Sequence, residues 1–373
     1  MSRGLAIIYD PHNLYQFVWY YCSGDCDREK RWDALCLPNG GKGEYMHEYC
    51  EQADIFDTIY RDDTDFSQLE TIKKLRIFAS MLVNFLLGRR KAYCHKLLNQ
   101  FVDFDVYDEV VVIADVGIVS GACVALGREK KVIILEDGIN DYSDRKMFIP
   151  KNKIKSIYAW QGFFLSFMGY CSPGWFRLKT DKFCIKYASQ PQKMKYREYK
   201  EIRQLYESNN TDNKLFERIV ENMYPTMKKY DFGNIDSVIM TRPLSDVVTD
   251  TEKYELRLED YVKNNFKSIL VKTHPREVKN YDFGDNVKTI VVDNSLPAEV
   301  ILPQIRGKQI MIVTTSSILL YFKAYNLDCK IIAFEGMYEE SLKDNANGKA
   351  PSELEIKEFA DRFCEGAYEL LYL

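Results

Sequence analysis

The sequence contains no signal-peptide pattern and no long hydrophobic run. Its first ten residues, MSRGLAIIYD, lack the long apolar core and the small-residue cleavage site of a secretory signal, and they predict a first strand instead. The most apolar later stretches, 80–88 and 161–176, are too short or too interrupted to cross a bilayer. We therefore expect a cytoplasmic protein.

Motifs for the common cofactors are also missing. There is no G-x-G-x-x-G fingerprint and no P-loop, so nothing supports binding of a nicotinamide cofactor or of ATP. The ten cysteines follow no disulfide-framework spacing, which suits a reducing compartment. Cys22 and Cys26 form a pair, but no second pair at zinc-finger spacing follows, so we expect neither a metal nor a cofactor.

Charge is close to balanced. The 373 residues include 51 Lys and Arg against 55 Asp and Glu, a net charge of −4, which gives no reason to expect a nucleic-acid partner. A chain of this length exceeds what one core usually organises, so two domains are expected. The oligomeric state stays open.

Short runs rich in Val and Ile alternate with helix-like segments, which is the pattern of buried parallel strands joined by helices. In the first half the predicted strands are residues 5–9, 55–60, 109–114 and 131–135. The pattern restarts with 237–241, 268–272, 289–292, 309–313 and 330–334. We predict an α/β protein with two Rossmann-like domains, residues 1–230 and 231–373, which face each other across a cleft.

Three segments fit this plan less clearly. Residues 165–230 have no assigned place, although 194–227 are charged and helical in pattern. The run 193–203, KMKYREYKEIR, could contact anionic lipid or form a solvated helix face. A closing helix over 352–372 is predicted from the Ser352-x-x-Glu355 capping pattern, and it could pack back on the first domain.

Doubly wound domains bind ligands at the carboxyl ends of their strands, so functional residues are expected in the loops there. In the first domain, Glu136-Asp137-Gly138 follows the strand KVIIL. A carboxylate at that position could be a general base, or the motif could be an ordinary glycine-containing turn. The first loop, which faces the cleft in the two-domain plan, also holds His12 and Asn13, which could contact a substrate there.

The second domain holds three such loops. His274 follows SILVK and could bind a phosphate or donate a proton, with Pro275 fixing the chain and Arg276 adding charge. Thr315, Ser316 and Ser317 could form a phosphate site or only cap a helix. Glu299 could favour a helix dipole or hold ribose hydroxyls, and Thr241 or Arg242 could approach the phosphate.

The order of these loops resembles that of the bacterial sialyltransferases with the two-domain fold called GT-B. Glu299 lies 25 positions after His274, and Ser316 lies 17 after Glu299, a layout similar to that of those enzymes. The sequence is most similar to glycosyltransferase family 52, through EDGIND and THPRE, while families 80 and 38 share the shorter motifs.

The resemblance implies a role for each matching residue. Asp137 would be the base that deprotonates the acceptor hydroxyl, and His274 would contact the CMP phosphate. Ser316 and Ser317 would hold that phosphate, and Glu299 would hold the cytidine ribose. Glu136 would tune or position the base, Gly138 would form the turn that lets both acids face the cleft, and Asn140 would contact the acceptor or hold the loop. His12 and Asn13 in the first loop could touch the acceptor.

The implied activity is transfer of sialic acid from CMP-sialic acid to a hydroxyl of a cell-surface glycan of capsule or lipooligosaccharide type. The family works by one inverting displacement without a metal. The partners would be the nucleotide-sugar donor and the glycan acceptor, and a lipid-linked acceptor would bring peripheral contact with the inner face of the membrane. Two alternatives stay open: a GT-B transferase that uses CMP-Kdo, a UDP-sugar or a GDP-sugar, and a non-catalytic sugar-binding homologue.

Overall fold

The computed structural model divides into two compact units, Met1–Tyr224 and Pro225–Leu373. The predicted division fell after residue 230. The structure describes residues 2–37, 43–62, 70–113, 118–136, 138, 142, 183–194, 199–205, 211–246, 250–274, 277, 279–313, 317–321, 328–333, 353–364 and 368–373.

The first unit is built on a seven-stranded parallel sheet with the order β3-β2-β1-β4-β5-β6-β7. Its strands are β1 Arg3–Ile8, β2 Arg31–Cys36, β3 Thr58–Arg61, β4 Glu109–Ile113, β5 Lys131–Leu135, β6 Ile185–Ala188 and β7 Glu201–Gln204. The four adjacent strands β2, β1, β4 and β5 are buried along nearly their whole length, as expected for a sheet covered on both faces.

Helices connect these strands. They are α1 Pro11–Cys22, α2 Gly43–Ala53, α3 Thr71–Leu86, α4 Arg90–Leu98, α5 Ile118–Ala125 and α6 Asn213–Met223, with 3₁₀ turns at Phe104–Val106 and Pro191–Lys193. Helix α1 begins at Pro11, so His12 and Asn13 lie on its first turn and not in a loop as predicted. Asp10 caps the helix by accepting a hydrogen bond of 2.9 Å from the Asn13 N–H, and Pro11 occupies the first turn. Among the described residues, no helix is both long and apolar enough to span a membrane.

The second unit has a six-stranded parallel sheet with the order β10-β9-β8-β11-β12-β13. The strands are β8 Ser237–Met240, β9 Ser268–Lys272, β10 Lys288–Val292, β11 Gln309–Val313, β12 Asp328–Ala333 and β13 Tyr368–Tyr372. Its helices are α7 Thr251–Asn265, α8 Ala298–Ile301 and α9 Glu353–Cys364, with 3₁₀ turns at Pro225–Lys229, Leu244–Asp246, Leu302–Ile305 and Ser317–Tyr321. The predicted pair of parallel α/β sheets is confirmed.

Each sheet reverses its strand order once. In the first unit the reversal lies between β1 and β4, and in the second between β8 and β11. Loops on either side of such a point diverge to opposite faces and leave a crevice at the carboxyl ends of the strands. The two crevices therefore lie beside the loops that begin at Tyr9 and at Thr241.

Parts of the predicted layout are wrong. The charged segment 194–227 is not one helix, because β7 occupies Glu201–Gln204 and helix α6 begins only at Asn213. The run 193–203 is accordingly not a solvated helix face, since it contains buried Met194 and Tyr199 and leads into β7. The closing helix ends at Cys364, and the chain then forms β13, which pairs with β12.

A close contact between β1 and β2 shows why one position of the central strand is glycine. Gly4 is opposite Trp32 in the parallel register. A Cβ atom built on Gly4 would lie 2.6 Å from the Trp32 ring, closer than carbon atoms approach without displacement. The indole ring packs edge-on against Phe17 of α1 and therefore has little room to move.

We predict that Gly4→Ala destabilises the first unit by about 1–3 kcal/mol, since an added methyl group overpacks a filled core. Urea unfolding followed by tryptophan fluorescence measures the change. In the double variant Gly4→Ala/Trp32→Phe the smaller ring makes room, so the combined cost should fall below the sum of the two single costs. Additive costs would contradict the contact.

Candidate active site

Glu136 directly follows β5 and is completely buried. Its Oε2 accepts hydrogen bonds from the Tyr142 hydroxyl at 2.6 Å and from the Ser189 N–H at 2.8 Å, and its Oε1 accepts one from the Ser189 hydroxyl. Ser189 follows β6, so Glu136 joins the carboxyl ends of two neighbouring strands. With both carboxyl oxygens engaged, Glu136 acts as an anchor for this edge of the sheet.

The network around Glu136 extends to the residues that surround Ser189. The Tyr142 oxygen accepts a hydrogen bond of 3.0 Å from the Gln190 N–H, and the Gln204 side chain donates to the Ser189 carbonyl. Buried Lys186 donates from Nζ to the Leu135 carbonyl at 3.0 Å, which ties β6 to the last residue of β5. Buried polar groups paired in this way hold one geometry.

Gly138 is buried and has a φ of 98°, a conformation that glycine adopts without a side-chain clash. The prediction that a tight turn follows the two acids depends on this residue. The predicted base Asp137 and the supporting residue Asn140 lie outside the described residues.

The first loop lies at the strand-order reversal of the first sheet. Asn13 is buried, and its Oδ1 accepts a hydrogen bond of 3.2 Å from the Tyr9 N–H. The Tyr9 hydroxyl lies 2.9 Å from the Ser120 hydroxyl near the start of α5, so it connects the end of β1 to the helix that follows β4. Burial raises the pKa of the Tyr9 hydroxyl above its ordinary value.

His12 is half-buried on the first turn of α1, beside Asn13. The structure therefore places both predicted first-loop residues at the crevice of this sheet. Tyr9 and Ser120 were not predicted there. Their only sequence signal is that each stands near the carboxyl end of a predicted strand.

In the second unit, His274 belongs to a turn that Glu277 closes. The Glu277 N–H donates to the His274 carbonyl at 2.8 Å, and the Glu277 carboxylate accepts from the His274 N–H, also at 2.8 Å. The same carboxylate accepts hydrogen bonds from the Thr241 and Tyr281 hydroxyls. Since Thr241 follows β8 and His274 follows β9, Glu277 fixes two neighbouring strand ends to each other.

A second set of contacts supports the same turn from the side of β10. The Thr273 hydroxyl donates to the Asn294 side chain, whose Nδ2 donates to the Glu277 carbonyl at 2.9 Å. The Lys272 ammonium is buried and donates to the Thr273 carbonyl at 2.7 Å. A buried cation at this strand end favours an anionic ligand nearby.

A pocket of about 440 Å³ opens beside this turn. Its lining comes from the ends of β9 and β10 and from the segment before β8: Lys229, Tyr230, Thr273, Glu277, Lys279, Asn280 and Val291 to Asn294. The Tyr230 hydroxyl accepts a hydrogen bond of 2.9 Å from the Asp293 N–H, which holds its ring at the pocket wall.

The remaining predicted donor residues divide into two groups. Glu299 is buried on the short helix α8, and half-buried Ser317 begins the 3₁₀ turn that follows β11. Pro275, Arg276, Thr315 and Ser316 lie outside the described residues. In the described parts of the chain, no group of three or more His, Cys, Asp or Glu side chains is arranged to hold a metal ion.

The sheet order brings together the strand ends that carry the predicted residues. Strand β8 lies between β9 and β11, so the loops of Thr241, His274 and Ser317 follow three adjacent strands. The supporting role of Glu277, the last residue of THPRE, is not predicted by the sequence analysis. A carboxylate three residues after a strand-end histidine could have signalled a self-closed turn.

The comparison with protein families gives one match. A family model described as Alpha-2,8-polysialyltransferase (POLYST) matches residues 114–334, which is more than half of the chain. The matched range contains Glu136, Asp137, His274, Glu299 and Ser317. No curated protein matches the sequence.

Solved structures resemble the whole chain at low identity. The glycotransferase of kitacinnamycin has a TM-score of 0.51 and 10% identity, with 99% of this chain and 86% of that chain covered. The glycosyltransferase SnogD from Streptomyces nogalater has a TM-score of 0.46 and 12% identity, with 99% and 96% covered. UDP-N-acetylglucosamine 2-epimerase from Rickettsia bellii has a TM-score of 0.47 and 13% identity, with 98% and 89% covered.

At these identities the structural likeness concerns the fold alone. The predicted GT-B fold and the predicted resemblance to the GT-B sialyltransferases are both confirmed, and the family that matches is that of the polysialyltransferases. The alternative of a non-catalytic sugar-binding subunit is thereby set aside. The chain belongs to the alpha-2,8-polysialyltransferase family and is a sialyltransferase with the GT-B fold.

Proposed function

We propose that this sialyltransferase takes sialic acid from CMP-sialic acid and transfers it, with inversion and without a metal, to a hydroxyl of a cell-surface glycan. The observation that carries the proposal is the extent of the family match. Residues 114–334 include both the strand end at Glu136 and the donor-side loops with His274, Glu299 and Ser317. The family description supports an acceptor that itself ends in sialic acid.

The reaction exchanges one bond for another. The acceptor oxygen attacks the anomeric carbon of the sialic acid while the bond from that carbon to the CMP phosphate oxygen breaks. Asp137 takes the proton of the acceptor hydroxyl, and CMP leaves with the bonding electron pair. A general base of this kind contributes about 10²–10⁴-fold to the rate.

The contacts of Glu136 favour its neighbour as the base. Both Glu136 oxygens accept hydrogen bonds from Tyr142 and Ser189, and the side chain is completely buried. A carboxyl group occupied in this way cannot also reach an acceptor hydroxyl. In this proposal Glu136 anchors the end of β5, and Asp137 carries out the proton transfer.

The donor side needs to stabilise the charge that develops on the CMP phosphate. His274 lies on a turn that Glu277 closes, and the buried ammonium of Lys272 donates to the carbonyl of the preceding residue, Thr273. Ser316 and Ser317, with Thr315, would donate hydrogen bonds to the phosphate, while Pro275 would fix the chain after His274 and Arg276 would add positive charge. Glu299 would hold the ribose. Pre-positioned donors of this kind supply much of the rate enhancement of group transfer, because they need not reorganise during the reaction.

A donor screen in EDTA tests the proposed substrate. We expect CMP release and sialyl transfer from CMP-sialic acid, with turnover unchanged by the chelator, because the leaving phosphate is stabilised by side chains. The screen includes CMP-Kdo, UDP-sugars and GDP-sugars. Turnover with UDP-sugars and none with CMP-sugars would overturn the proposed donor, and loss of turnover in EDTA would overturn metal independence.

Asp137→Asn and Glu136→Ala separate the base from the anchor. Asp137→Asn removes the base at nearly constant shape, so transfer should fall about 10²–10⁴-fold with an unchanged unfolding temperature. Glu136→Ala leaves Tyr142 and the Ser189 N–H without their acceptor, so stability should fall by about 2–5 kcal/mol. Initial rates and calorimetric unfolding measure the two effects. Nearly unchanged transfer in Asp137→Asn would show that another residue is the base.

His274→Ala and Glu277→Ala should both weaken use of the donor. We expect about a tenfold or greater rise in the KM for CMP-sialic acid. His274→Ala removes the imidazole itself, and Glu277→Ala removes the carboxylate whose hydrogen bonds hold the turn that carries it. The KM for the acceptor should stay constant. Tyr281→Phe is the matched control, since it removes one hydrogen bond to Glu277 and leaves those from His274 and Thr241. A rise in the acceptor KM instead would contradict the donor-side role.

A further inference from the structure

Helix α3 presents an apolar stripe to the solvent. Five apolar side chains recur at intervals of three or four residues and therefore share one face of the helix. The exposed fractions are 63% for Ile72, 50% for Leu75, 53% for Val83 and 72% for Leu86, and Ala79 between them is also exposed. We call these five residues, Ile72, Leu75, Ala79, Val83 and Leu86, the α3 stripe.

The opposite face of the helix is the one that packs. Met81, about half a turn of the helix wheel away from the stripe, is completely buried. Helix α3 packs on α4, which in turn packs on α5. The chain reverses between α3 and α4 through Gly88, whose φ is 68°, and the Arg89 N–H donates to the Asn84 carbonyl at 2.7 Å. The α3 stripe is thus the outer side of a fixed helical hairpin.

An exposed apolar face of this length is unusual for a monomeric protein and marks a surface for interaction. In an ordinary surface helix the apolar residues face the core, and here a second apolar stripe faces outwards. Four large aliphatic side chains held in water are unfavourable unless another apolar surface covers them.

The charge of the hairpin indicates what covers it. Residues 71–102 contain seven Lys or Arg side chains and no Asp or Glu, in a chain whose net charge is −4. Lys73 and Arg76 are exposed on α3, and Arg89 is exposed at the turn. Within the described residues, none of these three forms an ion pair.

We propose that the α3 stripe lies in the interface of an anionic phospholipid bilayer, with Lys73, Arg76 and Arg89 against the headgroups. An apolar face flanked by basic side chains is the pattern of helices that lie in the plane of a membrane. Basic residues near anionic headgroups add to the apolar contact and make it depend on salt. A second copy of the chain is the less favoured occupant, because two such hairpins would bring the exposed basic side chains of two copies together, and residues 71–102 contain no Asp or Glu that could pair with them across the contact.

Binding of the full-length chain to vesicles tests the proposal. We expect sedimentation with phosphatidylcholine vesicles that contain phosphatidylglycerol, weaker binding to phosphatidylcholine alone, and release by high salt. In Leu75→Glu/Val83→Glu the partition coefficient should fall by about tenfold or more, because two buried contacts with the acyl region are lost. Transfer to a water-soluble acceptor should be unchanged, since neither residue belongs to the site.

Leu256→Glu is the matched control. Leu256 is 55% exposed on α7 of the second unit, so Leu256→Glu introduces a carboxylate at nearly the same exposure as each of the two stripe substitutions, but outside the stripe. Binding of this variant should equal that of the native chain. Arg76→Glu provides an independent test of the basic flank and should weaken binding to the anionic vesicles alone.

Three results would overturn the inference. One is binding of the native chain that does not depend on the anionic lipid, and a second is equal binding of Leu75→Glu/Val83→Glu and the native chain. The third is a dimer, seen by light scattering, that this double variant dissociates while vesicle binding is absent. In that case the stripe joins two copies of the chain.

Discussion

A parallel sheet whose two faces are both covered can hold very few polar side chains along its strands, and this constraint organises the protein. Strands β4, β5, β8 and β9 are buried over nearly all of their length. Polar groups are therefore concentrated where the strands end, and the loops there supply the chemistry. Two buried charged groups within strands have partners: Asp33 accepts hydrogen bonds from Arg3 and Tyr107, and the Lys186 ammonium donates to a carbonyl of the neighbouring strand β5.

In both units a carboxylate holds the loops at the carboxyl ends of the strands in place. A loop at a strand end has no ladder of hydrogen bonds, so it needs another means of holding catalytic groups in place. In the first unit the buried carboxyl group of Glu136 joins the ends of β5 and β6. In the second, the carboxylate of Glu277 joins the ends of β8 and β9. Glu136 adjoins the proposed base Asp137, and Glu277 closes the turn that carries His274. In both units, therefore, one side chain holds the loop in place and a different side chain has the proposed chemical role.

The sequence predicted those elements whose signal is local. KVIIL, SILVK and QIMIV form strands with the predicted boundaries, because a short run of aliphatic residues between turn residues has few other stable structures. Strand β2 was missed since RWDALC contains Asp33, and the partners that make its burial tolerable stand 30 residues before and 74 residues after it. The sequence pattern predicts helix where β7 lies, because EIRQ belongs to a charged run and holds one aliphatic residue, a composition that suits the edge of a sheet but carries no local strand signal. These residues form a strand because they pair with β6, and the local sequence pattern gives no sign of that pairing.

The candidate site shows the same division. The motif order placed Glu136, His274 and Ser317 at strand ends, where they are found. The anchoring partners of these residues could not be predicted, since Ser189 lies 53 positions from Glu136 and Thr241 lies 36 positions from Glu277. Such pairs exist only because the strand order makes distant residues neighbours. Local sequence reports which residue types stand at the edge of a sheet, whereas topology decides which of them hold the others in place.

The basic hairpin of α3 and α4 adds a different constraint, since an apolar stripe in water favours self-association. Here the flanking charges all have one sign within residues 71–102, so two copies repel each other at the same surface that would otherwise join them. The same charges attract an anionic bilayer. The apolar stripe with its basic flank therefore disfavours a second copy of the chain and favours an anionic bilayer, which gives specificity without close shape complementarity. Because α3 is attached through α4 to the helix that follows β4, a membrane bound at the stripe would set the orientation of the first sheet relative to the bilayer.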